Sequence, residues 1–147
     1  MASSGSGTWH VYASCPAKMA NKEIDWDTDT IKVMLCTSSY TPNQTTHDYK
    51  NDVTNEVSGT GYTAGGATLG SKTITLNTLS QDFDAADSTW SSSSIVARVA
   101  VIYDASPGTD ATRPLIAYCV LDADVESASG TWTLQYPAGG IFGMEVD

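Results

Sequence analysis

Apolar residues in this chain fall in short, strand-length runs broken by clusters of Gly, Pro, Ser, Asn and Asp. No stretch sustains a long 3.6-residue apolar period. The two richest runs are residues 94–104 (SIVARVAVIYD) and 114–122 (PLIAYCVLD), separated by a loop holding Pro107 and Gly108. Runs rich in Val, Ile and Tyr around turn formers predict an antiparallel hairpin with a longish connection. With strict alternation, Ile95, Ala97, Val99, Val101 and Tyr103 share one face, and Val96, Ala100 and Ile102 the other, with Arg98 the one charge. In the second run Leu115, Ala117, Cys119 and Leu121 oppose Ile116, Tyr118 and Val120. Both faces are apolar, so both are expected to be covered. One cover is the core; the other is a chain segment, a second sheet or another subunit.

Further strands are predicted over 8–13, 31–36 (Ile31, Val33 and Leu35 inward, Lys32 outward), 72–76, 131–136 and 140–146, with a short edge strand or turn over 82–87 ending at Trp90. Four serines, Ser91 to Ser94, read as the connection into the central hairpin. One or two helical turns are expected from Cys15, with Ser14 as cap and Pro16 in the first turn. A second short turn is expected from Thr46, with Thr46 as its cap. Residues 1–7 are Ser/Gly-rich and read as a flexible N-terminal arm. Residues 38–69 are the least regular part, and a long loop in a compact domain is usually functional. The expected architecture is all-β: one domain over 8–147, an antiparallel β-sandwich, jelly-roll-like, with long irregular loops and at most two short helices.

Composition narrows the partners. The net charge of −10 repels phosphate backbones and anionic lipid, so neither nucleic acid nor membrane is expected as a direct partner. The start of the chain lacks a basic region and an apolar core, so no signal peptide is read, and no apolar run reaches membrane length. Cys15, Cys36 and Cys119 are odd in number and widely spaced, which suits buried thiols in a reducing compartment of synthesis.

Candidate chemistry is thin. Asp25, Asp27 and Asp29 have calcium-loop spacing, but Thr30 and Cys36 stand where that loop needs Gly and Glu. An acidic, solvated turn is the simpler reading, and Asp82, Asp84 and Asp87 read the same way. Residues 65–73 approach a phosphate loop, but Ser71 precedes Lys72 and a strand follows instead of a helix. His10 and His47 lack a partner histidine, and nothing selects a nucleophile beside His47 and Asp48. No catalytic residue, cofactor or metal is therefore assigned. Arg98 needs a carboxylate, backbone carbonyls or an aromatic face; it reads as a side chain snorkelling to the sheet rim, with an inter-subunit ion pair as the alternative.

Several motifs together resemble a family of small virion structural proteins of tailed bacteriophages. They are residues 27–35 (DTDTIKVML), Ser39-Tyr-Thr-Pro, His47-Asp-Tyr, Asp52-Val, and the string 56–66 (EVSGTGYTAGG), followed by Trp90, residues 97–104 and residues 114–118. The resemblance runs from about Ile24 to the C-terminus, and the glycine-rich string is its specific part. It implies a non-catalytic capsid cement or decoration protein, made in the host cytoplasm and placed on the capsid exterior. Its implied partners are the major capsid protein and further copies of itself, as a dimer or other oligomer. Tail components share this sequence style and are the alternative. A carbohydrate-binding module or enzyme is the alternative of a different class, favoured if Trp26, Trp90 and Trp132 form an exposed platform. Loop aromatics are frequent interface anchors, so Trp9, Tyr40, Tyr49 and Tyr62, together with Arg98, are the candidate interaction residues.

Overall fold

The computed structural model describes residues 2–147. In chain order its elements are β1 (Ser3–Gly5), β2 (Trp9–Val11), α1 (Cys15–Ala20), β3 (Ile31–Cys36), β4 (Ala67–Thr68), β5 (Thr73–Asn77), β6 (Ser80–Asp84), β7 (Ser88–Ser93), β8 (Val96–Asp104), β9 (Leu115–Glu126), β10 (Gly130–Leu134) and β11 (Phe142–Glu145), with a 3-10 turn at Lys50–Asp52. The two richest apolar runs pair as β8 and β9, the antiparallel centre of a five-stranded sheet ordered β2-β9-β8-β3-β4. Two three-stranded sheets, β1-β10-β7 and β11-β6-β5, supply the facing layer. The fold is an all-β sandwich. Pairings nest along the sequence: β3 joins β8, β2 joins β9, and β1 joins β10.

The main core lies between the layers. Val33, Leu35, Ala100, Ile102, Cys119 and Leu121 from the large sheet meet Trp90, Trp132, Leu134, Phe83 and Phe142 from the small ones. Trp26 seals one end, edge-on to Phe83 and Phe142 at 5.8 and 5.5 Å. The other face of the large sheet carries a second cluster of Tyr12, Met34, Cys36, Tyr40, Val99, Val101, Tyr103 and Leu115. Its cover is a chain segment, the stretch that brings Tyr40 and Val53 over the sheet.

Strict alternation fails along β8 and β9, because the ladder is interrupted between Ala97 and Val99 and again between Ile102 and Tyr103. A bulge adds unpaired residues and turns the following side chains to the opposite face. Ile95 and Ala97 therefore join Ala100 and Ile102 in the main core, while Val99, Val101 and Tyr103 line the second cluster. Leu115 likewise parts from Ala117, Cys119 and Leu121. Arg98 sits at the first irregularity. Its Nε donates to the Leu121 carbonyl at 2.6 Å, and its guanidinium reaches Asp124 at 3.4 Å. The one basic residue of the strand thus serves a carbonyl at the interrupted ladder.

Four local expectations change. Of the expected arm, Met1 lies outside the described residues and Ser3–Gly5 is not loose: it pairs in parallel with β10, and a Cβ on Gly5 would stand 2.9 Å from Leu121 Cδ1. A Ser/Gly composition allowed this because close packing, not side-chain volume, holds the strand. The serine run is not a connector but the end of β7. Ser93 is buried, its Oγ 2.8 Å from that of Ser127 and donating to the Gly130 carbonyl, which satisfies polar groups where the layers meet. Thr46 caps no helix: Asn43 Oδ1 accepts the amides of Thr45 and Thr46, and Asp52 Oδ2 accepts those of Asp48 and Tyr49. Ser14 does occupy the N-cap of α1, but its side chain makes no capping bond.

Candidate functional site

The string that carries the sequence resemblance forms a strap between the layers. Glu56 bridges to Cys36 at the end of β3, and Thr60 bridges to Ser94 beside β7. Between them, Tyr62 accepts the Leu35 amide on its hydroxyl oxygen at 3.0 Å and donates that hydroxyl to Glu56 Oε2 at 2.7 Å. The same carboxylate oxygen takes the Gly65 amide at 2.8 Å, and Tyr103 donates to the Gly65 carbonyl at 2.6 Å. Gly66 has φ +84°, and a Cβ there would fall 1.9 Å from the Val33 carbonyl oxygen, so no other residue fits. Burial raises the Tyr62 hydroxyl far above its ordinary range, so it is a fixed donor.

Residues 40–53 form the outer cover. Tyr12 and Tyr40 join hydroxyls at 2.9 Å, and Tyr40 continues to His47 Nδ1 at 2.9 Å. The Asn43 amide also points at His47 Nδ1, at 3.2 Å. Nδ1 is therefore the acceptor, which assigns the proton to Nε2 and makes Tyr40 the donor to the ring. Lys18 of α1 reaches into this segment, donating to the Asp48 carbonyl at 2.6 Å with its ammonium 3.7 Å from the Tyr49 ring centre. Burial lowers the Lys18 ammonium below its usual value.

The five candidate interaction residues are thereby located. Trp9 and Tyr40 are buried in the chain's own packing, Trp9 against Tyr136 at 5.7 Å between ring centres. Tyr49 lies half-buried under Lys18, Tyr62 is the pin of the strap, and Arg98 is half-buried on the β9 carbonyl. Tyr40 and Arg98 line one shallow pocket together, but the five do not share a single pocket. Trp26, Trp90 and Trp132 are all buried, so they build no exposed platform.

Sequence reasoning missed a charged cleft at the rim of the large sheet. A cavity of about 610 Å³ is lined by Lys32, Lys50, Arg113, Glu56, Asp110 and Tyr103, with Thr30, Ser106 and the Ala64–Gly65 backbone alongside. Three of the chain's seven basic residues meet here. Asp110 is shared by Lys50 at 3.0 Å and Arg113 at 3.1 Å, which holds its carboxyl below the usual range. Among the described residues Lys32 has no such carboxylate. The outward position of Lys32 was legible; its neighbours come from segments 18 and 81 residues further on, which no local pattern reveals.

The acidic turn aims its carboxylates at its own backbone. Asp25 Oδ1 accepts the amides of Asp27 and Thr28, both at 3.1 Å, and Asp29 Oδ2 accepts that of Asp25 at 2.8 Å. The glycine run at 65–66 leads into β4 and β5, and Lys72 donates to the Asp29 carbonyl. At the end of β8, Asp104 is fully buried. Its Oδ1 takes the Ser106 amide at 2.9 Å, and the carboxyl also meets that of Asp29. Burial, then the adjoining Asp29 carboxyl, pushes Asp104 up to about 7. The three thiols are buried and free, and burial raises Cys15 and Cys36 to about 12 and Cys119 to about 11. These are packing groups, not nucleophiles ready at neutral pH.

No family model, curated protein or solved structure matches this chain.

Proposed function

We propose that the protein is a virion structural protein that cements a capsid from outside, bridging neighbouring major capsid subunits. The motif resemblance suggests the class, and one structural observation carries the mechanism. The long irregular segment 37–66, where a mobile binding loop would be expected, is fixed to the sheet at Cys36, Leu35, Ser94 and Tyr103. A surface held this way loses little conformational freedom on docking, so more of each contact appears as affinity. A ligand that binds only the assembled shell stabilises it by mass action, and many copies multiply a modest contact. In the cleft, Lys32 is the cation not paired with Asp110 and suits an acidic side chain of a capsid subunit, while the overall charge disfavours direct binding to packaged nucleic acid or to membranes.

The test is thermal release of the packaged genome from particles with and without the protein, together with its copy number per particle. Release at lower temperature from particles lacking it, with copy number on the scale of the shell, supports cementing. Identical release curves, or labelling at the tail by electron microscopy, overturn it in favour of a tail component.

A further inference from the structure

We propose that β5 is a self-association seam. Two copies join edge to edge, antiparallel about a twofold axis through Thr75, so that their β11-β6-β5 sheets become one.

β5 is the outer strand of its sheet, and all five of its residues are exposed. An open edge is a template for another strand unless it is short, charged, bulged or covered. The other edges are managed in those ways. β1 and β2 have three residues each, β4 has two, and β11 has four with Glu145 at its end. The end of β7 is covered by the Thr60 bridge. Thr73 to Leu79 carry no charge and no proline, and among the described residues no strand pairs with the outer edge of β5.

The face of this edge is apolar where it matters. Ile74 pairs with Phe83 and Leu76 with Gln81, so both project on the Phe83 side. That face continues across β6 to Phe142 and Met144. Ile74 remains 44% exposed and Leu76 68% exposed, with Leu79 at the hairpin tip and the neighbouring Val146 exposed too. Asp82 and Asp84 stand opposite Thr75 and Thr73 in the ladder, so their side chains lie on the opposite face.

The occupant is a second copy because the strand matches itself. Antiparallel pairing about Thr75 sets Ile74 opposite Leu76 of the second copy, Thr73 opposite its Asn77, and Thr75 opposite its own equivalent. Apolar meets apolar on one face and polar meets polar on the other, which is the unit of sheet stabilisation. Moving the axis to Ile74 would set Lys72 against Leu76. Charge agrees: two chains of −10 repel, and this neutral edge is where they can approach. Two five-residue strands bury less than a standard interface, so dissociation near tens of micromolar is expected, on the order of 6 kcal/mol. Crowding on a shared surface would then populate it. The seam does not depend on the capsid reading.

The test uses the isolated full chain in sedimentation equilibrium from about 5 to 500 µM. The expected result is a monomer–dimer equilibrium that tightens as salt screens the repulsion. Leu76→Lys and Ile74→Glu should each be monomeric with unchanged near-ultraviolet dichroism, and their mixture should regain a dimer, because those positions face each other across the axis. Thr75→Cys should cross-link under oxidation, since opposite residues bring Cα atoms within disulfide reach, whereas Leu79→Cys should not. A monomer at every concentration overturns the seam, as does a dimer indifferent to Leu76→Lys. Failure here leaves shell binding untouched, and loss of shell binding by a chain that still dimerises counts against cementing alone.

Discussion

The Tyr62 hydroxyl stands 2.7 Å from Glu56 Oε2 and 3.0 Å from the Leu35 amide, so one phenol joins the glycine-rich strap to β3. Removing it leaves a backbone N–H and a carboxylate oxygen with one partner fewer. Tyr62→Phe is expected to cost about 1–3 kcal/mol in urea unfolding at neutral pH. Tyr62→Ala should cost more, because the ring also stacks on Trp90 at 6.0 Å between centres. An unchanged midpoint for both would mean that the strap is not fixed through this residue.

Gly66→Ala should be among the most damaging single substitutions. The added carbon meets a backbone carbonyl at 1.9 Å, and φ +84° strains any side chain. The expected loss is ~3 kcal/mol or more, read as a lowered Tm or poor soluble yield. Gly70→Ala, with no atom within 4 Å of its new carbon, is the control and should unfold near wild type.

Stability should fall between acidic and neutral pH because of Asp104. Its folded carboxyl titrates at about 7, above its value in the unfolded chain, so the folded state holds the extra proton in between. That contribution is complete below the unfolded value and is lost as pH rises through about 7. Asp52 and Asp110 act oppositely. Backbone amides for the first and Lys50 for the second hold them below the usual range, so their stabilisation fades as pH drops through it. Melting at pH 5 and pH 8 should show wild type losing stability at the higher value. Asp104→Asn, which cannot ionise, should flatten that slope.

Deleting residues 1–7 should destabilise the isolated protein. The deletion removes β1 from β10 and uncovers Leu121 and Trp132, against which Gly5 packs. A drop in Tm of several degrees is expected for a loss of about 1–2 kcal/mol. A Tm equal to that of the full chain would return this segment to the status of a loose arm.

How much of this was legible follows from where the signals lie. β3, β8 and β9 announce themselves because buried strands in a covered sheet read as continuous Val/Ile/Leu runs. The alternation from Val99 to Tyr103 was legible, but Ile95 and Ala97 change faces because a bulge at Arg98 obeys the partner strand and leaves no local mark. Ser3–Gly5 and Ser88–Ser93 escaped because their strand character comes from neighbours: Trp132 and Leu121 above the glycine, Ser127 beside Ser93. Tyr40 and Tyr62 were recognised as special from their place in a loop, but a sequence cannot say that such a ring faces inward. The same limit hid the cleft, whose cations are distant along the chain, and the bareness of Ile74 and Leu76, whose alternation is that of any half-buried strand.

The nesting of β1 on β10, β2 on β9 and β3 on β8 bears on how the chain is made. These three early strands pair with β10, β9 and β8, which begin only at Gly130, Leu115 and Val96. Until β8 and β9 have emerged and closed their hairpin, Ile31, Val33 and Leu35 have only the two-residue β4 beside their strand, and Trp9 has no strand beside it. Folding is therefore expected to proceed outward from the β8–β9 hairpin, with β1 docking only once β10 has formed. Closing such long loops before contacts reward them makes for slow formation, and a nascent chain with bare β3 is the stage at which misassociation is most costly.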